Sequence, residues 1–129
     1  MGGSLRVFVV EDHAATARGL KVFLETSGYD VEVANDVRSA LNLAKRITFD
    51  VLLCDLSLPD GTGWDLMKAL RQRAPVRGIA FSALDDPEDI KRSKAAGFAD
   101  HVVKGTAPEE LISVIDRVTK NKADVNRKS

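Results

Sequence analysis

A chain of 129 residues has room for one domain of ordinary size, long enough to bury about two-thirds of the surface its unfolded form exposes. Nineteen Lys plus Arg balance nineteen Asp plus Glu, which excludes the basic excess of a nucleic-acid or anionic-membrane binder. The single cysteine, Cys54, closes no intramolecular disulfide, MGGSLR lacks the apolar core of a secretory leader, and no apolar run nears the roughly 18 residues of a bilayer span. The expected compartment is the cytoplasm, with no membrane insertion.

Val7-Phe8-Val9-Val10 is a short apolar run that stops at Glu11-Asp12, the pattern of a strand buried on both faces. Ala17, Leu20 and Leu24 then recur at helical spacing up to Gly28, which suits the end of a helix. Val31 and Val33 alternate in a second strand, and Asp36 can cap a helix whose stripe is Val37, Ala40, Leu41 and Ala44. Val51 to Cys54 form a third apolar strand ending at Asp55. Leu58-Pro59-Asp60-Gly61-Thr62-Gly63 reads as a loop leading into a Trp64 to Arg73 helix. Gly78 to Phe81 end at Ser82, Pro87 opens a helix over Glu88 to Ala96, and Gly97 can close it. His101 to Val103 end at Lys104, and Pro108 begins a last helix with Leu111, Val114, Ile115 and Val118 as its stripe. Residues from Lys120 onward are polar and are expected to fray or to act as a linker; Met1 to Ser4 read as an expression remnant or a disordered start.

Five apolar strands alternating with five helices predict an α/β fold, a doubly wound five-stranded parallel sheet with helices on both faces. Right-handed crossovers leave few topologies, and the flavodoxin-like order 2-1-3-4-5 is the usual one. In such a sheet all C-terminal strand ends share one edge. Glu11, Asp12 and Asp55 then converge at the switch point beside Ser82 and Lys104. Like charges this close call for a cation, and an all-oxygen set suits Mg²⁺ (or Mn²⁺), while the cysteine and histidine sets of zinc sites are missing. Lys104 adds a positive charge and Ser82 a hydroxyl donor, the groups a transferred phosphoryl needs around its oxygens.

These residues, with Leu58-Pro59-Asp60-Gly61 after the third strand and Ala83 after Ser82, resemble a response-regulator receiver domain. The likeness runs from Leu5 to Thr119, leaving 120–129 as a tail or linker. It implies that Asp55 accepts a phosphoryl group from the phosphohistidine of a sensor kinase or phosphotransfer protein. Glu11, Asp12, Asp55 and the main-chain carbonyl of Ser57 would hold the metal, and Lys104 would pair with the phosphoryl oxygens. Ser82 would follow the phosphoryl group as a switch residue, passing the signal to a downstream protein partner through the fourth helix, fifth strand and fifth helix. Two departures stand out: Gly105 replaces the family's usual Pro after the lysine, and His101 replaces its inward-turning Tyr or Phe. Ser57 and Leu84 are expected to tune phosphate lifetime.

Plainer readings compete. Asp12 can simply cap the first helix, Lys104 can be a solvated charge, and His101 can be an ordinary half-buried histidine. Trp64, Met67 and Leu70 read as core, Cys54 as a buried small hydrophobe, and Lys91, Arg92 and Lys94 as a solvated face of a helix held only by Ile90 and Ala95. The alternative functions are an adaptor that is never phosphorylated, a Mg²⁺-dependent phosphohydrolase, and an FMN binder. A hydrolase would want a second Asp where Ser57 stands, and Glu11-Asp12 would repel a flavin phosphate. No turnover enzyme is expected. No DNA-binding output segment follows within these residues, as in a stand-alone receiver or one taken from a larger protein.

Overall fold

The structure, a computed structural model, describes residues 4–83 and 86–128, with side chains described up to residue 120. The parallel sheet consists of β1 (Arg6–Val10), β2 (Asp30–Ala34), β3 (Val51–Cys54), β6 (Gly78–Ser82) and β7 (Asp100–Val103), in the order β2-β1-β3-β6-β7. In sheet-strand count this is the expected 2-1-3-4-5. The helices are α1 (Ala14–Thr26), α2 (Val37–Ala44), α3 (Gly63–Arg73), α4 (Pro87–Ala96) and α5 (Pro108–Lys128).

The period of two along each strand sorts the core into two layers. Phe8, Val10, Leu52, Cys54 and Ala80 point to one face and meet Leu66, Met67 and Leu70 of α3 and Ala40 of α2. Val7, Val9, Leu53, Ile79 and Phe81 point to the other and meet Leu24 of α1 and Leu111, Ile115 and Val118 of α5. Strands buried on both sides this way contribute about 1.5–3 kcal/mol per large apolar side chain, which explains why they read as unbroken apolar runs.

Four features differ from the sequence reading. The loop after Asp55 contains a small antiparallel hairpin, β4 (Ser57–Leu58) with β5 (Gly61–Thr62). Its tip is pinned because both carboxylate oxygens of Asp60 accept backbone N–H groups of α2, from Val37 at 2.7 Å and Arg38 at 3.0 Å. Asp36 caps the same helix end by accepting from Ser39 N at 2.8 Å, and hydrogen bonds from Ser39 hold its carboxyl below the usual carboxylate range. Second, α4 buries Ser93 and Ala96, whereas Ile90 is 43% exposed and Ala95 faces solvent. Third, Arg92 is exposed but is more than a solvated charge, since its guanidinium lies 4.0 Å from the centre of the Trp64 ring. Fourth, α5 continues to Lys128 instead of fraying after Thr119. Residues 120–128 contain neither Pro nor Gly, so helix propagation adds a hydrogen bond per residue with nothing to stop it. Met1, Gly2, Gly3, Leu84 and Ser129, on which some sequence expectations fall, lie outside the described residues.

Candidate functional site

The strand ladders themselves deliver the polar residues. Glu11 N donates to Ala34 O at 3.0 Å, Asp55 N to Val10 O at 2.9 Å, and Lys104 N to Ser82 O at 2.8 Å. Each is one rung past the last apolar residue, so register fixes where the charged side chains emerge. Glu11, Asp55 and Ser82 are 1%, 5% and 1% exposed, while Asp12 is open to solvent.

Carboxylate oxygens of Glu11, Asp12 and Asp55 lie within 4.8 Å of one another. Lys104 Nζ reaches across the edge to Asp55 Oδ2 at 3.0 Å and Glu11 Oε1 at 2.8 Å. Burial of this ammonium disfavours its charged form, but the contacts to Glu11 and Asp55 outweigh it and raise the Lys104 pKa above the ordinary lysine value. The lysine's charge therefore contributes to stability below that ordinary value, and this contribution is lost as pH rises through the raised one. Asp55 Oδ1 accepts from Ser57 N at 3.1 Å, and Glu11 Oε2 accepts from His13 N at 3.0 Å. Glu11 Oε1 is buried with an ionic neighbour but no aligned hydrogen bond.

One lysine balances at most one of three carboxylates. The donors are all hard oxygens, and Glu11 Oε1 retains unused acceptor capacity inside the protein. This combination fits a hard divalent cation. Cys54 does not compete as a nucleophile: burial first, then the charges of Asp55 and Glu11, push its thiol far up, and Sγ donates to Asp55 O at 3.1 Å.

The structure removes the capping role considered for Asp12. The N-cap of α1 is His13, whose Nδ1 accepts Thr16 N–H at 3.4 Å and lies 2.8 Å from Thr16 Oγ1. Asp12 is left as a carboxylate facing the cluster. Replacing it with Asn is expected to relieve like-charge crowding in metal-free protein and raise the melting midpoint by roughly 2–4 °C. Mg²⁺ is expected to stabilise wild type, and the substitution should remove most of that effect. Thermal melts with and without saturating Mg²⁺ check both, and a variant that keeps the full Mg²⁺ shift excludes Asp12 as a ligand.

Two glycines neighbour the site. Gly63 begins α3 with its N–H on Leu56 O at 3.0 Å, and its Cα is packed against the backbone of Asp55 and Leu56. Gly105 has φ +98°, in the left-handed region that glycine takes freely. Proline, locked near −65°, cannot adopt it, so the backbone after Lys104 takes a conformation that the family's usual Pro excludes. His101 lies at the distant end of β7, its Nδ1 3.3 Å from Ser93 Oγ, so it is not brought to the carboxylates by these contacts.

A family model described as the response regulator receiver domain matches residues 7–116. The chain is 36% identical over 118 residues to the sensory transduction protein RegX3 of Mycolicibacterium smegmatis, covering 92% of this chain and 52% of that protein. It is 32% identical over 108 residues to the DNA-binding response regulator MtrA of Mycobacterium tuberculosis, covering 84% and 47%. The chain thus spans about half the length of these curated relatives. Among solved structures, the chemotaxis response regulator CheY4 of Vibrio cholerae superposes with a TM-score of 0.83 at 31% identity, covering 89% of this chain and 98% of that one. The receiver domain of the Francisella response regulator 1452 gives 0.86 at 31%, covering 92% and 99%.

Proposed function

The chain belongs to the response-regulator receiver family, and from that premise we propose that Asp55 is the residue that accepts the phosphoryl group. The carrying observation is the convergence of the Asp55, Glu11 and Asp12 carboxylates with the Lys104 ammonium at one sheet edge. Asp55 Oδ2 attacks the phosphorus of a phosphohistidine, the P–N bond breaks as the O–P bond forms, and the freed imidazole nitrogen keeps the electron pair. The product is an acyl phosphate.

Glu11, Asp12, Asp55 and the Ser57 carbonyl would hold Mg²⁺ (or Mn²⁺), which supplies positive charge against the phosphoryl oxygens. Lys104 changes partner as the reaction proceeds, leaving Asp55 Oδ2 for an oxygen of the incoming group while keeping Glu11. It needs little reorganisation, because its ammonium is already held over the reacting oxygen. Ser82, buried next to Phe81 and bonded to Lys104 through the backbone, follows with its hydroxyl. The segment after β6 and the surface of α4, β7 and α5 then shift. His101 moves with that surface as a switch residue. Ser57 sits where a phosphohydrolase would place its acid/base, and a backbone contact replaces that chemistry, so we read the chain as a signalling protein and not a turnover enzyme.

Its partners in this reading are a sensor histidine kinase or phosphotransfer protein upstream and a protein contacting the α4, β7 and α5 face downstream. The DNA binding named for the MtrA relatives is not assigned to these residues, whose charges balance. Among the described residues no helix is long and apolar enough to cross a membrane; we assign the chain to the cytoplasm.

Intact-mass spectrometry after incubation with acetyl phosphate tests the proposal. We expect one phosphoryl adduct, dependent on Mg²⁺ and mapping to the peptide that contains Asp55. An adduct elsewhere, or one indifferent to the metal, would overturn it. If acetyl phosphate alone gives no adduct, a phosphohistidine donor is the decisive substrate.

A further inference from the structure

Helix α4 has an unusual anchor. Most surface helices are held by an apolar stripe, but the two buried residues of α4 are Ser93 and Ala96. Ser93 is 1% exposed and stands at the centre of a hydrogen-bonded line that joins three elements. Trp64 Nε1 on α3 donates to Ser93 Oγ at 3.0 Å, and Ser93 Oγ lies 3.3 Å from His101 Nδ1 on β7. Arg92, one residue before Ser93, covers the face of the same indole.

The direction of this line follows from what each group can do. An indole N–H only donates, so Ser93 Oγ accepts from Trp64. In the arrangement proposed below, the hydroxyl hydrogen is directed to His101 Nδ1 at 3.3 Å, which accepts it. Acceptance requires a neutral imidazole with its proton on Nε2. A protonated ring presents N–H at Nδ1, reverses the bond, and leaves the Ser93 hydroxyl hydrogen without that acceptor in a buried position. The ring has space to swing out, because His101 lines a cavity of about 270 Å³ with Ile90, Lys94 and Phe98.

We propose that Trp64, Ser93 and His101 form a latch that clasps α4 to α3 and β7, closed when the imidazole is neutral and released when it is protonated. Among the described residues, the charges near His101 come from three elements. Helix α4 contributes Lys94 and Asp89, the latter flanked by Asp86 and Arg92, β7 contributes Asp100, and α5 contributes Glu110 and Arg117. Asp100 is neutralised by its ion pair with Arg117, while its Oδ1 accepts the backbone N–H of His101 at 2.8 Å. Asp89 interacts electrostatically with the imidazole. The latch gives α4 an input separate from Asp55 and works without a phosphoryl group, so it stands or falls apart from the phosphoacceptor reading.

Trp64 is the single tryptophan of the chain, which makes its emission a direct report on the latch. In unphosphorylated protein, lowering pH from about 8 to 5 across the histidine range is expected to change that emission in a one-proton transition. Amide-exchange protection of α4, corrected for the intrinsic pH effect and referred to α3, should fall about fivefold, the loss of one net hydrogen bond. His101→Phe and Ser93→Ala should each abolish the transition. His13→Asn, which removes the other histidine, should leave it intact. If Ser93→Ala does not fold, Trp64→Phe tests the same link by exchange alone, with α4 protection independent of pH. Emission and protection that stay constant in wild type, or a transition that survives in His101→Phe, would overturn the proposal.

Discussion

Asp55→Asn is expected to take up no phosphoryl group under conditions that load the wild-type chain. The substitution preserves shape: an Asn side chain keeps an oxygen able to accept Ser57 N–H, so the loop between β3 and the β4–β5 hairpin has no reason to rearrange. What it removes is the nucleophile, since a neutral amide does not attack phosphorus as a carboxylate does. It also removes one of three crowded charges, leaving Lys104 to pair with Glu11 alone. The variant should therefore be at least as stable as wild type without metal. The two measurements are intact mass after acetyl phosphate and a thermal melt. A folded Asp55→Asn chain that still gains a phosphoryl group would mean that another side chain is the acceptor, and the assignment of Asp55 would fail.

This separation of stability from activity is what a functional cluster should show. A buried side chain that served the fold alone would destabilise when altered, because its partners would lose packing or hydrogen bonds. Asp12 and Asp55 are predicted to behave in the opposite sense, since under the proposed function the fold carries their repulsion for the sake of a metal and a phosphoryl group. Lys104 differs from both. Removing it strips the compensation from two carboxylates that are almost fully buried, so its loss costs stability and phosphoryl transfer together.

The reading from sequence succeeded where local chemistry and topology act together. An apolar run that stops at a charged residue marks both a strand and its C-terminal end, and a parallel sheet collects those ends by necessity. That is how Glu11, Asp55, Ser82 and Lys104 were legible as one site though they are dispersed along the chain. What escaped depends on contacts that residue type does not announce. Asp60 reads as a turn former, yet it caps α2 from across a hairpin. Trp64 reads as core, and it is buried, but a buried indole N–H needs an acceptor, and that requirement was the available hint of a polar partner. Ser93 gave no hint, since a serine within a polar helix looks solvated until tertiary packing buries it. His13 displaced Asp12 as the cap of α1, because the helix begins one residue later than an Asp12 cap would require.

Gly63 is the second position where a small change should have a large effect. A Cβ placed there would meet Asp55 O at 2.4 Å, Leu56 Cα at 3.0 Å and Asp55 C at 3.1 Å. All three are backbone atoms of the segment that carries Asp55, the proposed phosphoacceptor, so no side chain can swing aside. Gly63→Ala must push α3 away from that segment, at an expected cost of at least ~2 kcal/mol. A displacement approaching 1 Å at Asp55 should slow phosphoryl uptake on the order of 100-fold. Gly19 supplies the control, because it lies within α1 and an added Cβ meets nothing within 4 Å. There the same substitution gains helix propensity and should stabilise by about 0.5–1 kcal/mol with phosphoryl uptake unchanged. Opposite signs in denaturant melts of Gly63→Ala and Gly19→Ala, with uptake lost only in the first, would tie the close approach of α3 to the geometry of Asp55. Equal effects would show that backbone entropy, not contact with the phosphoacceptor, decides both.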